Sequence, residues 1–236
     1  MAESDFTLFG ASAADIKRGV TAGITPPNGG GNFIFGFNSL VDESAAVGLY
    51  YNATDYAPLR DNSANPTGGS VRAALKRGQS PSPTGYSIGL YICLQGGSAP
   101  TISDSGYFLG LADNDPSEIV LAKVAPNAGL DPEATTALRI SSTTYLWDTW
   151  LHLRLDAIVN PNGDVVLKCF ESDLDTYAVS SPNWQPIGGM ADYIDDALGI
   201  NSGSNPLAGG WGGWAFHSEQ TNARGYIDHF EFHRQA

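Results

Sequence analysis

The segment from Trp150 to Leu174 constrains the fold of this chain more than any other. Leu151, Leu153, Leu155, Ala157 and Val159 alternate with polar residues, the period of a strand with one buried face. Pro161-Asn162-Gly163-Asp164 follows, and a second alternating run begins at Val165. Asn-Gly between two such runs signals a hairpin, because both residues accept the positive φ that a tight turn requires. With Asn162-Gly163 as a two-residue turn, Val159 lies opposite Val166 and Leu155 opposite Phe170 on the core face. Arg154 then lies opposite Glu171, and His152 opposite Asp173, on the other face. Opposite charges across a strand pair contribute roughly 0.2–1 kcal/mol each, so the register is chemically consistent on both faces.

The same rhythm recurs along the chain. Phe33, Phe35 and Phe37 share a face, as do Val47, Leu49 and Tyr51, and then Val71, Ala73 and Leu75. In Tyr86 to Gln95, the side chains of Tyr86, Ile88, Leu90, Ile92 and Leu94 point one way. Gly106 to Ala112 and Ile119 to Val124 read as a hairpin. Leu138 to Tyr145, Trp211 to His217 and Tyr226 to Arg234 complete the set, with Tyr226, Phe230 and Phe232 on one face together with Asp228. The pattern predicts about eleven to thirteen strands and one short helix, Met190 to Leu198. The 28 glycines and 14 prolines fit many turns and few helices.

The first 31 residues differ from the rest. Phe6 to Phe9 reads as a short strand and Ala11 to Gly19 as a helical turn, before the loop signal Pro26-Pro27-Asn28-Gly29-Gly30-Gly31. Two readings stand: a flexible leader, or an assembly arm that docks on a neighbouring subunit through Phe6, Phe9, Pro26 and Pro27. Residues 32–236 then form one sandwich domain.

Charge narrows the partners. With 25 acidic and 12 basic residues, the net charge is −13. Phosphate backbones and anionic membrane surfaces are repelled, so no nucleic acid or membrane partner is expected. Met1-Ala2-Glu3-Ser4-Asp5 has no basic and apolar leader pattern, so no signal peptide is expected. Cys93 and Cys169 sit in apolar alternating runs and read as small buried hydrophobes, reduced as in a cytoplasm.

The run Trp150-Leu-His-Leu-Arg-Leu-Asp156, its Asn-Gly turn and Asp164-Val-Val-Leu-Lys-Cys-Phe170 resemble the central hairpin of concanavalin A-like and laminin-G-like jelly rolls. The closing run Gly225-Tyr-Ile-Asp-His-Phe-Glu-Phe232 resembles the last strand of that family. The resemblance implies an all-β, two-sheet antiparallel jelly-roll sandwich. Jelly rolls of this sort also occur in tailed-bacteriophage virions, as decoration, neck, tail and fibre proteins. The acidic β-domain behind a Gly/Pro-rich arm is similar to these. This implies a non-enzymatic virion structural protein, made in the host cytoplasm, that binds neighbouring virion subunits and forms a homo-oligomer under the particle's symmetry. The alternative is a carbohydrate-binding, lectin-like domain used for host adhesion.

Several residues carry candidate chemistry. Trp211 and Trp214, in Gly209-Gly-Trp-Gly-Gly-Trp214, either pack in the core or form an aromatic platform for sugar rings, with Trp147 or Trp184 nearby. Asp113, Asn114, Asp115 and Glu118 form an oxygen-rich turn that is either a plain Asx turn or a calcium site. No other cofactor motif is present. His229 and His233 are four apart in a strand, about 13 Å, too far to share one ion. Glu171-Ser172-Asp173-Leu174-Asp175 resembles the spaced acids of the family's glycoside hydrolases, which gives a second alternative with Glu171, Asp173 and Asp175 as catalytic acids. It departs from that pattern in its final Asp and in Ser172. Arg154 and His152 resemble part of the family's polysaccharide-lyase set, without the matching Gln or Tyr.

Overall fold

A computed structural model describes residues 6–10, 16–18, 35–38, 45–51, 66–78, 86–96, 98–112, 118–128, 137–145, 149–172, 182–218 and 224–235. These residues form fifteen strands and no helix. In chain order the strands are β1 (Phe6–Gly10), β2 (Ile16–Arg18), β3 (Phe35–Asn38), β4 (Ala45–Tyr51), β5 (Gly69–Arg77), β6 (Tyr86–Leu94), β7 (Gly106–Leu111), β8 (Glu118–Val124), β9 (Ala137–Thr144), β10 (Trp150–Val159), β11 (Val165–Ser172), β12 (Trp184–Pro186), β13 (Tyr193–Asp195), β14 (Trp211–Ser218) and β15 (Arg224–Arg234). One sheet runs β1-β4-β14-β6-β7-β8-β9. The other runs β12-β11-β10-β5-β15-β3-β2, with β13 also paired to β11. Every pairing is antiparallel. The chain is an all-β jelly-roll sandwich.

The core lies between the sheets, where the alternation aims it. Val71, Ala73 and Leu75 of β5 stand beside Leu153, Leu155 and Ala157 of β10. They face Ile88, Leu90 and Ile92 of β6 and Trp214 and Phe216 of β14. Each large side chain so buried stabilises the fold by roughly 1.5–3 kcal/mol. A second apolar cluster covers the outer face of the first sheet, built from Tyr91, Phe108, Val124 and Trp211. There Phe108 lies across Gly89 and Gly110, which pair with each other. A Cβ on Gly89 would sit 2.2 Å from the Phe108 ring, so that position requires glycine.

Three strand phases differ from the sequence reading, each for a local reason. The β10–β11 hairpin pairs Val159 with Val165, Leu155 with Cys169 and Arg154 with Phe170. The turn has three residues rather than two. Asn160 N–H donates to Asp164 O at 2.9 Å, Gly163 N–H donates to Asn160 O at 2.9 Å, and Gly163 has φ +93°. This is the turn-plus-left-handed-glycine arrangement of longer hairpins. A one-residue slip moves side chains to the opposite face. Phe170 is therefore on the outer face beside Arg154, while Glu171 lies opposite Leu153 and His152 opposite Ser172.

In β15 a bulge falls between Asp228 and Glu231, with His229 at φ +52°. The bulge reverses the phase. Ile227, Phe230 and Phe232 enter the core, and Tyr226 and Asp228 point outward with their partners Lys76 and Ala74. In β6, Cys93 at φ +55° interrupts the alternation. Ile88, Leu90 and Ile92 stay in the core, but Leu94 joins the outer cluster.

The helix expected at Met190 to Leu198 is absent. Met190 closes a turn on Ile187, β13 follows, and then a tight loop. Asp196 explains the loop: its carboxylate accepts N–H bonds from Leu198, Ile200 and Asn201 at 2.8–3.1 Å. Such local side-chain acceptors compete with helix, and Gly199 at φ +69° completes the reversal. Ile16–Arg18 is likewise a strand, paired with β3, and not a helical turn. The segment read as an arm thus holds β1, paired with β4, and β2, paired with β3. Pro26 and Pro27 lie outside the described residues.

Candidate functional site: a groove at the open edge of the sandwich

On β7 and β8, Tyr107 lies directly opposite Lys123. Both share the inward phase of Leu109 and Leu121, so a lysine enters the edge of the core. A buried ammonium is stable only when paired and hydrogen-bonded. Lys123 Nζ meets Asp195 Oδ2 at 2.7 Å, Ser202 Oγ at 3.0 Å, Ser204 O at 3.1 Å and Asn205 O at 2.7 Å. Asp195, with no exposure, also accepts the Tyr107 hydroxyl and the Ser202 hydroxyl at 2.5 Å each. Tyr107 Oη in turn accepts Leu207 N–H at 2.8 Å. Burial, then the bond to Asp195, push the Tyr107 hydroxyl well above its ordinary pKa, so it acts only as a neutral donor and acceptor.

This network pins the loop from Asp196 to Leu207 against β7 and β8. A second tie comes from the hairpin turn, where Asp164 Oδ1 accepts Ala197 N–H at 2.8 Å. Between the pinned loop and the β8–β9 end lies an open groove of about 890 Å³. Asn201, Ser202, Ser204 and Asn205 supply one wall, Val124, Ala125 and Pro126 another, and Leu138, Arg139 and Tyr193 the third. Arg139 holds its guanidinium 4.8 Å from the Tyr193 ring centre and donates Nη1–H to Leu138 O at 2.8 Å. The arrangement offers amides, hydroxyls, carbonyls and the Arg139 guanidinium beside the apolar Pro126, Leu138 and Leu207. It suits binding of a polar ligand that carries both C–H faces and hydrogen-bonding groups.

A second charged cluster covers the outer face of the other sheet. Arg154 donates to Asp156 at 2.9 and 2.6 Å, and its guanidinium lies 4.3 Å from the Phe170 ring centre and 5.6 Å from that of Trp184. Arg72 pairs with Glu231. His152, buried, has its ring 4.4 Å from Trp184. Burial, then Arg72 and His229, push the His152 pKa down to about 3, so the ring is neutral near pH 7. Asp228 is raised by burial, opposed by His229.

The residues singled out in the sequence fall as follows. Trp214 is 2% exposed in the main core and Trp211 is 7% exposed in the outer cluster, with its Nε1–H bonded to Gly96 O at 2.9 Å. Neither ring presents a face to a ligand, which corrects the sugar-platform reading. Gly210 and the strand irregularity at Trp211 place the two rings on opposite faces. Glu118 begins β8 opposite Thr144. Asp113 and Asp115 lie outside the described residues. Among the described residues, no group of three His, Cys, Asp or Glu side chains could hold a metal ion. Glu171 accepts the Tyr145 hydroxyl at 2.8 Å and has no arginine opposite it, which corrects the expected pairing. Asp173 and Asp175 lie outside the described residues. His229 sits 3.7 Å from Asp228, and His233 3.1 Å from Glu231. Cys93 and Cys169 are free and buried, with burial pushing both thiols up to about 12.

Sequence reading missed the groove. Its signal is Lys123, a lone cation at an inward position of Ile119-Val-Leu-Ala-Lys-Val124. The loop that answers it, with Asp196, Gly199 and Gly203, was masked by the apolar spacing that predicts a helix.

No family model matches the chain, and no curated protein matches it. Solved structures match its fold. A carbohydrate recognition domain of Emp46p, in metal-free form, superposes with TM-score 0.51 and 12% identity, over 95% of this chain and 87% of that one. Lectin II from Ulex europaeus superposes with TM-score 0.50 and 8% identity, over 98% of this chain and 92% of that one. At this identity the likeness establishes the lectin-like jelly-roll architecture.

Proposed function

We propose that this chain is a carbohydrate-binding domain and that the groove beside Arg139 is its binding site. The observation that carries the reading is the groove itself. Its volume of about 890 Å³ lies within the size range of ligand pockets, and its polar wall is held in place before any ligand arrives. Sugar rings combine C–H faces with hydroxyls, and the groove pairs apolar Leu138, Pro126 and Leu207 with the amides and hydroxyls of the Asn201–Asn205 loop. The solved relatives of this architecture, which include a carbohydrate recognition domain and a lectin, agree with that reading. Binding of the full chain to an array of neutral and acidic glycans tests it. Saturable binding that disappears in Ala125→Trp, where an exposed rim residue becomes an indole across the groove mouth, supports the reading. Undiminished binding by a folded Ala125→Trp moves the site elsewhere, and silence across the array removes it.

A second reading has its own observation. Leu198 and Ile200 are 82% and 76% exposed, and Ile194 is 48% exposed, all on or beside the groove loop. Exposed apolar residues so close together mark a protein contact. In this reading the chain is a structural part of a phage virion and binds copies of itself or neighbouring subunits there. Sedimentation of wild type against Leu198→Ser/Ile200→Ser tests it: concentration-dependent association in the wild type alone supports it.

A further inference from the structure

We propose that the groove is selective for a glycan end that carries a single carboxylate, a sugar acid, and that Arg139 is the residue that binds this carboxylate. The inference rests on the carbohydrate-binding reading and goes beyond it to the ligand class. In the two charged clusters, Arg72, Lys123, Arg154 and Lys168 each lie within ion-pair distance of a carboxylate. Arg139 does not, among the described residues, although acidic residues outnumber basic ones 25 to 12 in the chain. Its partners are a neutral ring and one carbonyl. The stacking holds the guanidinium plane, and among the described residues the single Nη1 bond leaves the other N–H donors for a ligand. A fixed guanidinium with free donors matches the two oxygens of a carboxylate, which a lysine ammonium does not do.

The position of Arg139 agrees with a role toward a ligand. It lines the groove alongside the Asn201 and Asn205 amides and the Ser204 hydroxyl, groups suited to the hydroxyls of the same sugar ring, while the Ser202 hydroxyl is held by Asp195 and Lys123. Lys123 is the other cation on the wall, but its ammonium already has four oxygen acceptors within 3.1 Å. It serves the scaffold and leaves the anion to Arg139. The chain's net charge of −13 sets the upper limit on ligand charge. A run of carboxylates would be repelled along its length, whereas one terminal carboxylate meets one matched cation.

The test uses the full chain and paired oligosaccharides that differ only at the terminal residue, glucuronic acid in one and glucose in the other. The expected result is at least tenfold tighter binding of the acid-ended member, with the preference shrinking as salt is raised. Arg139→Gln should abolish the preference while binding to the glucose-ended member is retained. Arg139→Lys, which keeps the charge but loses the fork, should fall between. Equal binding of the two wild-type ligands, or a preference untouched by Arg139→Gln, overturns the sugar-acid inference and leaves the carbohydrate reading standing. Absence of binding to both, together with silence across the neutral and acidic array, overturns both. A thermal midpoint for each variant confirms that the fold is intact.

Discussion

The two charged clusters of this sandwich use burial differently. On the outer sheet face, Arg72 and Arg154 each have a carboxylate, and the aromatic rings of Phe170 and Trp184 fill the space between. At the rim, Lys123 and Asp195 are paired more deeply still, yet Arg139 beside them faces a groove with no acid among its described lining residues. A charge leaves water only with partners. Complete pairing therefore marks scaffold, and an unpaired cation beside a concavity marks a place for an external partner. Charge density alone would have chosen the face; pairing and shape choose the rim.

The comparison breaks most visibly at Asp195. Asp195→Ala leaves the Lys123 ammonium buried without its carboxylate and should destabilise the fold by about 3–5 kcal/mol, as removal of one partner of a buried pair does. Denaturant midpoints measure it. The double variant Lys123→Met/Asp195→Leu should recover much of the loss, because no uncompensated charge remains. If Asp195→Ala costs under about 1 kcal/mol, the rim network does not hold the loop and the groove loses its preorganised wall.

The outer face has a pH signature. The His152 pKa is lowered to about 3 against about 6.5 in the unfolded chain. Between these values the unfolded state binds more protons, so the histidine makes stability rise with pH. The contribution is complete above about 6.5 and is lost as pH falls toward 3. By pH 5 the loss should be about 2 kcal/mol. Asp228 acts oppositely: its raised pKa means the folded state holds the extra proton, so its contribution falls as pH rises. Among the described residues, Trp184 lies against the His152 ring, and the charges of Arg72 and His229 act on it. His152→Phe should flatten the stability profile between pH 5 and 7, and Asp228→Asn should remove the opposing contribution that falls as pH rises. An unchanged slope in His152→Phe would mean that folding does not alter the ring's affinity for protons.

How much of this was legible in the sequence depends on what each element needs. Alternating runs declared the strands, because period 2 is a property of the chain itself. Register was one residue off in the central hairpin, because Asn-Gly fits both a two-residue and a three-residue turn and only hydrogen bonds decide between them. The bulge at His229 leaves no mark in composition, so the face of Tyr226 and Asp228 could not be read. The tryptophans misled because Trp suits a core and a sugar platform equally; their phase relative to the bulge at Trp211 decides. The groove was hidden most deeply, since Lys123, Arg139, Tyr193 and Asn205 come from four separate segments that only the sandwich edge brings together.

Gly163 ties the hairpin to the rim and offers a smaller test. Its φ of +93° is open to glycine and strained for alanine, and a Cβ there would meet Ala197 Cβ at 3.4 Å. Contact is therefore ordinary, and the cost is conformational. Gly163→Ala should destabilise by about 1–2 kcal/mol, seen in thermal unfolding. If the turn supports the groove loop through Asp164 and Ala197, the variant should also weaken glycan binding without changing the preference between acid and neutral ends. A loss of preference would instead tie Arg139 to the hairpin.

The smallest expected effect separates the two arginines most cleanly. Arg154→Gln removes a partly buried pair with Asp156 and a stack on Phe170. Exposed and partly exposed pairs contribute little, and the stack adds about as much again, so the loss should be about 1 kcal/mol, with glycan binding unchanged. Arg139→Gln removes no ion pair among the described residues and keeps a planar polar group over Tyr193, so its stability loss should be smaller still, under about 0.5 kcal/mol. Only this second variant should alter ligand preference. Thermal midpoints and binding isotherms, measured on the same samples, give two numbers for each arginine. If both variants lose stability equally and neither changes binding, the two clusters are the same kind of structure and the distinction drawn from pairing fails. If stability falls with Arg154 and selectivity falls with Arg139, pairing separates the arginine that holds the sandwich from the one that faces its ligand.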